Sequence, residues 1–128
     1  MYSSVTKDIR VSVEPVYLAD RSEPDEQRFF WAYTVEIANG GTAPVQIIAR
    51  HWIITDANGE VEEVRGPGVV GQQPVLKQGE SFEYTSGCPL ETAFGSMQGT
   101  YEMLLDGGET FNANVAGFAL RQHDDNIN

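Results

Sequence analysis

Between Phe29 and Ile37 apolar and polar side chains alternate, and this alternation limits the fold more than any other feature. Phe29, Trp31, Tyr33, Val35 and Ile37 fall on one side, with Thr34 and Glu36 on the other. Successive side chains of an extended strand point to opposite faces, so such a run can bury one face and wet the other. The same period links Ile9, Val11 and Val13, a run that Pro15 is expected to end or bulge. Asn39-Gly40-Gly41-Thr42 reads as a turn, followed by a strand over 45–55. Asp56-Ala57-Asn58-Gly59 then folds the chain back into 61–65, because Asn-Gly favours the positive φ of tight hairpins. A Gly/Pro loop spans 66–79, and a short strand follows over 81–85. Strands over 100–105 and 111–115 flank a second hairpin turn, Asp106-Gly107-Gly108-Glu109, and Phe118 and Leu120 extend the last strand. About seven strands with regular turns and no helix predict an all-β antiparallel sandwich of immunoglobulin or fibronectin type III kind. A closed barrel is the alternative.

The 128 residues suit one domain with a core over 9–120, and the acidic tail over 121–128 is expected to fray. A chain of this size buries enough surface to fold without disulfides or a structural metal. No apolar run approaches the ~18 residues of a membrane span. The N-terminus lacks an apolar signal region and there is one cysteine, which together point to the cytoplasm. The formal charge of −11 disfavours nucleic acid and anionic membranes, and makes basic protein patches or divalent cations easier partners. Solubility alone also accounts for it.

Gly66-Pro67-Gly68-Val69-Val70-Gly71 spells G-x-G-x-x-G, the phosphate-binding fingerprint. That fingerprint works where a strand runs into it and a helix starts from it. Here Gln72-Gln73-Pro74 follows, with no helical stripe, so the motif alone names no reaction. A backbone nest could still hold an anion, with charge from Arg65 and Lys77. Against this, glycines in sandwich loops usually serve turns, and Pro67 has no N–H to offer. Arg65, Gly66, Gly68, Gly71 and Lys77 therefore form a candidate anion- or partner-binding loop, with tight turning as the plainer account.

Other stretches add a resemblance. Arg50-His51-Trp52-Ile53-Ile54-Thr55-Asp56-Ala57-Asn58-Gly59, the run from Val64 to Gly71, Pro74, Leu76 and Gly79-Glu80 together resemble the ApaG family. Tyr84-Thr85-Ser86-Gly87-Cys88-Pro89-Leu90 and Gly95-Ser96-Met97-Gln98-Gly99-Thr100-Tyr101 continue the likeness, which covers about Ile9 to Phe118. The resemblance implies a fibronectin type III-like sandwich. Bacterial members also carry the name CorD, tied to cobalt resistance and magnesium efflux. Eukaryotic relatives are fused to an F-box protein and a polymerase-interacting protein, which implies an interaction module. The family brings no established catalytic residues.

The remaining candidates are weak on chemistry. Strand alternation puts Arg50 with Trp52 on one face, and His51 with Ile47, Ala49 and Ile53 on the other. Arg50 is expected to stack on an aromatic ring or pair with a carboxylate, and His51 to be a hydrogen-bonded structural histidine. Cys88 lacks a base at readable spacing, which favours a semi-buried thiol, and Ser86 has no nucleophile-elbow pattern. Two histidines and one cysteine make a poor soft-metal set, although His123-Asp124-Asp125 could bind metal weakly. Magnesium would prefer the carboxylates of Glu60, Glu62 and Glu63, or of Asp106 and Glu109; a solvated acidic surface is the plainer account. The expectation is a non-enzymatic interaction module without a cofactor, connected to cation homeostasis indirectly through a protein partner. The alternatives are a domain binding pyrophosphate or a nucleotide at the glycine loop and, less favoured, an enzyme acting on nucleotides.

Overall fold

In the computed structural model, which describes residues 1–122, two antiparallel sheets pack face to face. The first contains β1 (Tyr2–Thr6), β2 (Ile9–Tyr17), β3 (Phe29–Asn39) and β7 (Ser81–Leu90), in that spatial order. The second runs β5 (Val61–Pro67), β4 (Val45–Asp56), β8 (Gly95–Leu105), β9 (Thr110–Leu120), and β6 (Val75–Leu76) pairs with β4 beyond the end of β5. The expected sandwich is present. Phe29, Trp31, Tyr33, Val35 and Ile37 are all buried, as the alternation requires. They meet Ile47, Trp52, Met97, Tyr101 and Met103 of the other sheet. Trp52 sits at the middle of this core, edge-on to Tyr33, Tyr101 and Phe118 at ring-centroid distances of 5.4, 6.0 and 6.0 Å. Each such side chain contributes about 1.5–3 kcal/mol by burial.

Among the described residues there are nine strands rather than seven. The first addition, β1, is an edge strand whose residues are mostly exposed, so it carries no hydrophobic alternation to read. Lys7 and Asp8 join it to β2 with φ of 46° and 69°, a tight hairpin turn built without glycine. Pro15 does not end β2. It pairs with Tyr33 on one side and lies beyond Val13, where β1 stops, so it occupies an edge position that tolerates a missing N–H. The second addition, β6, comes from the expected 66–79 loop. That segment is laid along β4, with Gly68 N–H donating to Ile48 O at 2.7 Å and Ile47 N–H to Pro74 O at 3.0 Å. Buried Asn39 anchors its far end by donating to Leu76 O and Ala43 O, both at 2.9 Å.

The sandwich is closed on one side and open on the other. β9 packs over β1 and β2, Asn114 N–H donates to Thr6 Oγ1 at 3.1 Å, and the Tyr2 and Phe118 rings meet at 5.8 Å. On the opposite side, among the described residues, β7 pairs only with β3, and β5 only with β4, which leaves two strand edges without a neighbour. No described helix is long and apolar enough to cross a membrane.

Candidate functional site

The glycine loop is fixed by Arg50. A bulge at Ile48 reverses the alternation of β4, so Ile47 joins Arg50, Trp52 and Ile54 on the core-facing side instead of sharing the face of His51. Arg50 neither stacks on a ring nor pairs with a carboxylate among the described residues. Its guanidinium lies across Gly66 and donates to Pro67 O at 3.1 Å and Gly68 O at 3.2 Å. A Cβ on Gly66 would stand 2.9 Å from that guanidinium, which is why the strand carries glycine there.

Beyond Gly66 the loop is a tight hairpin. Val69 N–H donates to Gln72 O at 2.8 Å, and Gln72 N–H returns to Val69 O at 2.9 Å. The tip residues Val70 and Gly71 have φ of 42° and 82°. Gly68, at φ 60°, has Gln72 O only 2.1 Å from where a Cβ would be. The main-chain N–H groups of Gly68, Val69 and Gln72 are thus spent inside the protein. No helix follows the motif; it is succeeded by β6.

Arg65 and Lys77 do not converge. Arg65 sits opposite His51, whereas Leu76, next to Lys77, sits opposite Val45. Those β4 residues are six positions apart, about 20 Å of strand. Arg65 instead joins a cluster on the outer face of the second sheet. Glu63 Oε1 lies 2.8 Å from His51 Nε2 and 3.3 Å from Arg65 Nη2. These contacts, His51 first, hold the Glu63 carboxyl below its ordinary value of 4.5. Arg50, His51, Arg65 and Gly66 border a shallow depression of about 540 Å³ that also takes in Glu102 and Asn112.

Inside the sandwich lies a tyrosine cluster. The hydroxyls of Tyr84 and Tyr101 share a short hydrogen bond. Burial raises the Tyr84 phenol to about 12 and pushes Tyr101 higher still. Cys88 is buried on β7, and burial, with the charge of Glu62 second, raises its thiol to about 11. A thiol held protonated in this way is a poor nucleophile at neutral pH. No local pattern marks Tyr84 and Tyr101 as partners, because they lie on different sheets.

The larger cavity, about 650 Å³, lies between the free edges of β5 and β7. Phe29, Phe30, Ile54 and Leu90 supply apolar walls. Asp56, Glu60 and Glu62 border it from the β4–β5 hairpin, with Arg21, Arg28 and Glu91 across from them. Glu62 pairs with Ile54 and so shares its core-facing side. The three-residue loop between the paired Asp56 and Glu60 sets this register; a two-residue Asn58-Gly59 turn would pair Glu62 with Thr55 and face it outward. The carboxylates considered for magnesium are therefore divided, with Glu60 and Glu62 on this cavity, Glu63 on the outer face, and Asp106 and Glu109 exposed near the β8–β9 turn. Among the described residues no three acidic, histidine or cysteine side chains converge as metal ligands; His123-Asp124-Asp125 lies outside the described residues.

Two antiparallel sheets, closed at β9 and open between β5 and β7, define a β-sandwich protein of fibronectin type III-like build. Comparison with known proteins gives the family. The sequence profile of the ApaG domain matches residues 19–105. Protein ApaG of Xanthobacter autotrophicus is 58% identical over 120 residues, covering 94% of this chain and 92% of that one. Protein ApaG of Brucella anthropi is 57% identical with the same coverage. A solved structure of a Bordetella pertussis protein given the name ApaA superposes with a TM-score of 0.87 at 54% identity, covering 89% of this chain and 93% of that one. The chain belongs to the ApaG family.

Proposed function

We propose that this chain is a non-enzymatic protein-interaction module of the cytoplasm. The observation that carries the reading is the open side of the sandwich, where two strand edges without neighbours border one cavity. Free edges offer rows of main-chain donors and acceptors, and added strands are a common mode of peptide recognition. The chemistry of the side chains supports the same view. The one thiol is buried and held protonated, and the phenols of Tyr84 and Tyr101 hydrogen-bond each other inside the core. The net charge of −11 favours a basic protein surface over nucleic acid. A connection to cobalt or magnesium then runs through the partner rather than through a cation site on this chain.

The test is affinity capture from cell extract with the intact chain as bait, across a salt series. A specific protein retained at moderate salt supports the module. Only abundant background proteins, at every salt concentration, would count against it.

A further inference from the structure

We propose that the β5 edge takes an extended segment carrying Lys or Arg at every second position, added as an antiparallel strand over the cavity between β5 and β7. This rests on the interaction-module reading and names the partner's chemistry. The main chain sets the first requirement. Asp56 N–H donates to Glu60 O at 3.0 Å, which starts the β4–β5 ladder. Antiparallel alternation from that bond turns the main-chain groups of Val61 and Glu63 outward, towards the free edge. An incoming strand finds donors and acceptors there. On β7 the facing stretch contains Pro89, which has no N–H and blunts that edge.

The side chains set the second requirement. Phe29, Ile54 and Leu90 give an apolar floor, and Glu60, Glu62 and Glu91 give an acidic border. None of these three carboxylates enters an ion pair among the described residues, whereas Arg28, on the same border, lies 3.7 Å from both Glu23 and Glu26. An apolar floor below free carboxylates matches a side chain with a hydrocarbon stem and a cationic head. In an added strand every second residue faces the cavity, so the cationic positions recur with period two. The same inward carboxylates repel a second copy of this acidic chain, and so select against self-pairing while admitting a basic strand.

The probe is a capped octapeptide of four lysine-threonine repeats, titrated into isotope-labelled intact protein and followed by amide NMR. Saturable shifts confined to β5 and to Leu90 and Glu91 are expected. An octapeptide of the same composition, with its lysines grouped rather than alternating, should bind at least about fivefold more weakly if strand register matters. Glu62→Lys should weaken binding about tenfold or more by reversing a border charge. Glu63→Pro, at an N–H that β4 does not use, should melt at the same temperature as Glu63→Gln, which removes the same carboxylate, and bind about tenfold more weakly than that variant. Equal affinity for both peptides, or affinity indifferent to Glu63→Pro, would mean diffuse charge attraction and overturn the proposal. So would the absence of saturable binding. A partner captured by the intact chain and insensitive to both substitutions would leave the module reading standing and remove this surface from it.

Discussion

Gly68→Ala and Gly71→Ala should differ by about 2 kcal/mol although both glycines lie in one turn at positive φ. At Gly71 φ is 82° and an added Cβ meets nothing within 4 Å. The cost there is the left-handed penalty of about 1–2 kcal/mol, reduced by the about 0.4–1 kcal/mol that alanine gains by restricting the unfolded chain. A net loss of about 1 kcal/mol follows. Gly68→Ala carries the same penalty, and its Cβ would also stand 2.1 Å from Gln72 O. Backbone cannot yield by that much without parting Val69 from Gln72 and loosening the Gly68 bond to Ile48. The two Val69–Gln72 bonds alone, at about 1 kcal/mol each, bring the loss to about 3 kcal/mol. Urea unfolding monitored by tryptophan fluorescence measures both, and about 4 °C in melting temperature per kcal/mol gives an independent reading. Equal losses within about 0.5 kcal/mol, set against the error of linear extrapolation, would refute the reasoning. They would mean that the turn opens without disturbing β4. The result also bears on any test of anion binding at this loop. Substitution at Gly68 destroys the turn whatever the ligand, so Gly71→Ala is the informative variant.

Val70 is a β-branched residue at φ 42° and is half exposed, so Val70→Asn should stabilise the chain by about 0.5–1 kcal/mol in the same urea assay. Arg50→Ala and Gly66→Ala both release the guanidinium from Pro67 O and Gly68 O, so the double variant should cost clearly less than the sum of the singles. Glu63 has a depressed carboxyl, so its contribution is present above the unfolded value and is lost as pH falls through the folded one, below 4.5; a carboxyl-carbon NMR titration should find that midpoint, and Glu63→Gln should flatten the acid limb of stability. Tyr84 and Cys88 are raised, so their native-state titrations should fall near pH 12 and pH 11, and a thiol reagent at neutral pH should label Cys88 only after unfolding.

The sequence made the centre of the fold legible and its margins obscure. Residues 29–37 alternate because they are buried on one face, and Gly59 marks its hairpin because the turn needs φ of 85° there. β1 left no pattern because it buries little, and Lys7-Asp8 gave no sign of a turn because neither residue usually takes positive φ. Alternation puts Arg50 on the right face, but its partners are main-chain carbonyls seventeen and eighteen residues later, which no local pattern encodes. The bulge at Ile48 is likewise silent, since the inserted residue is an ordinary strand former. For the candidate site, the glycines were visible and their reasons were not. Gly66 yields to a guanidinium and Gly68 to a carbonyl, and only the fold brings those groups near. The cavity between β5 and β7 combines residues from four separate strands, so its acidic border read only as surface charge.

The open edge is where the account places function, and hydrogen–deuterium exchange of the intact chain, alone and with its captured partner, tests that most directly. The account predicts slowed exchange over 60–66 and around Leu90 and Glu91, with β1 and β9 unchanged. Protection centred on β1 and β9, with β5 exchanging as in the free chain, would contradict it.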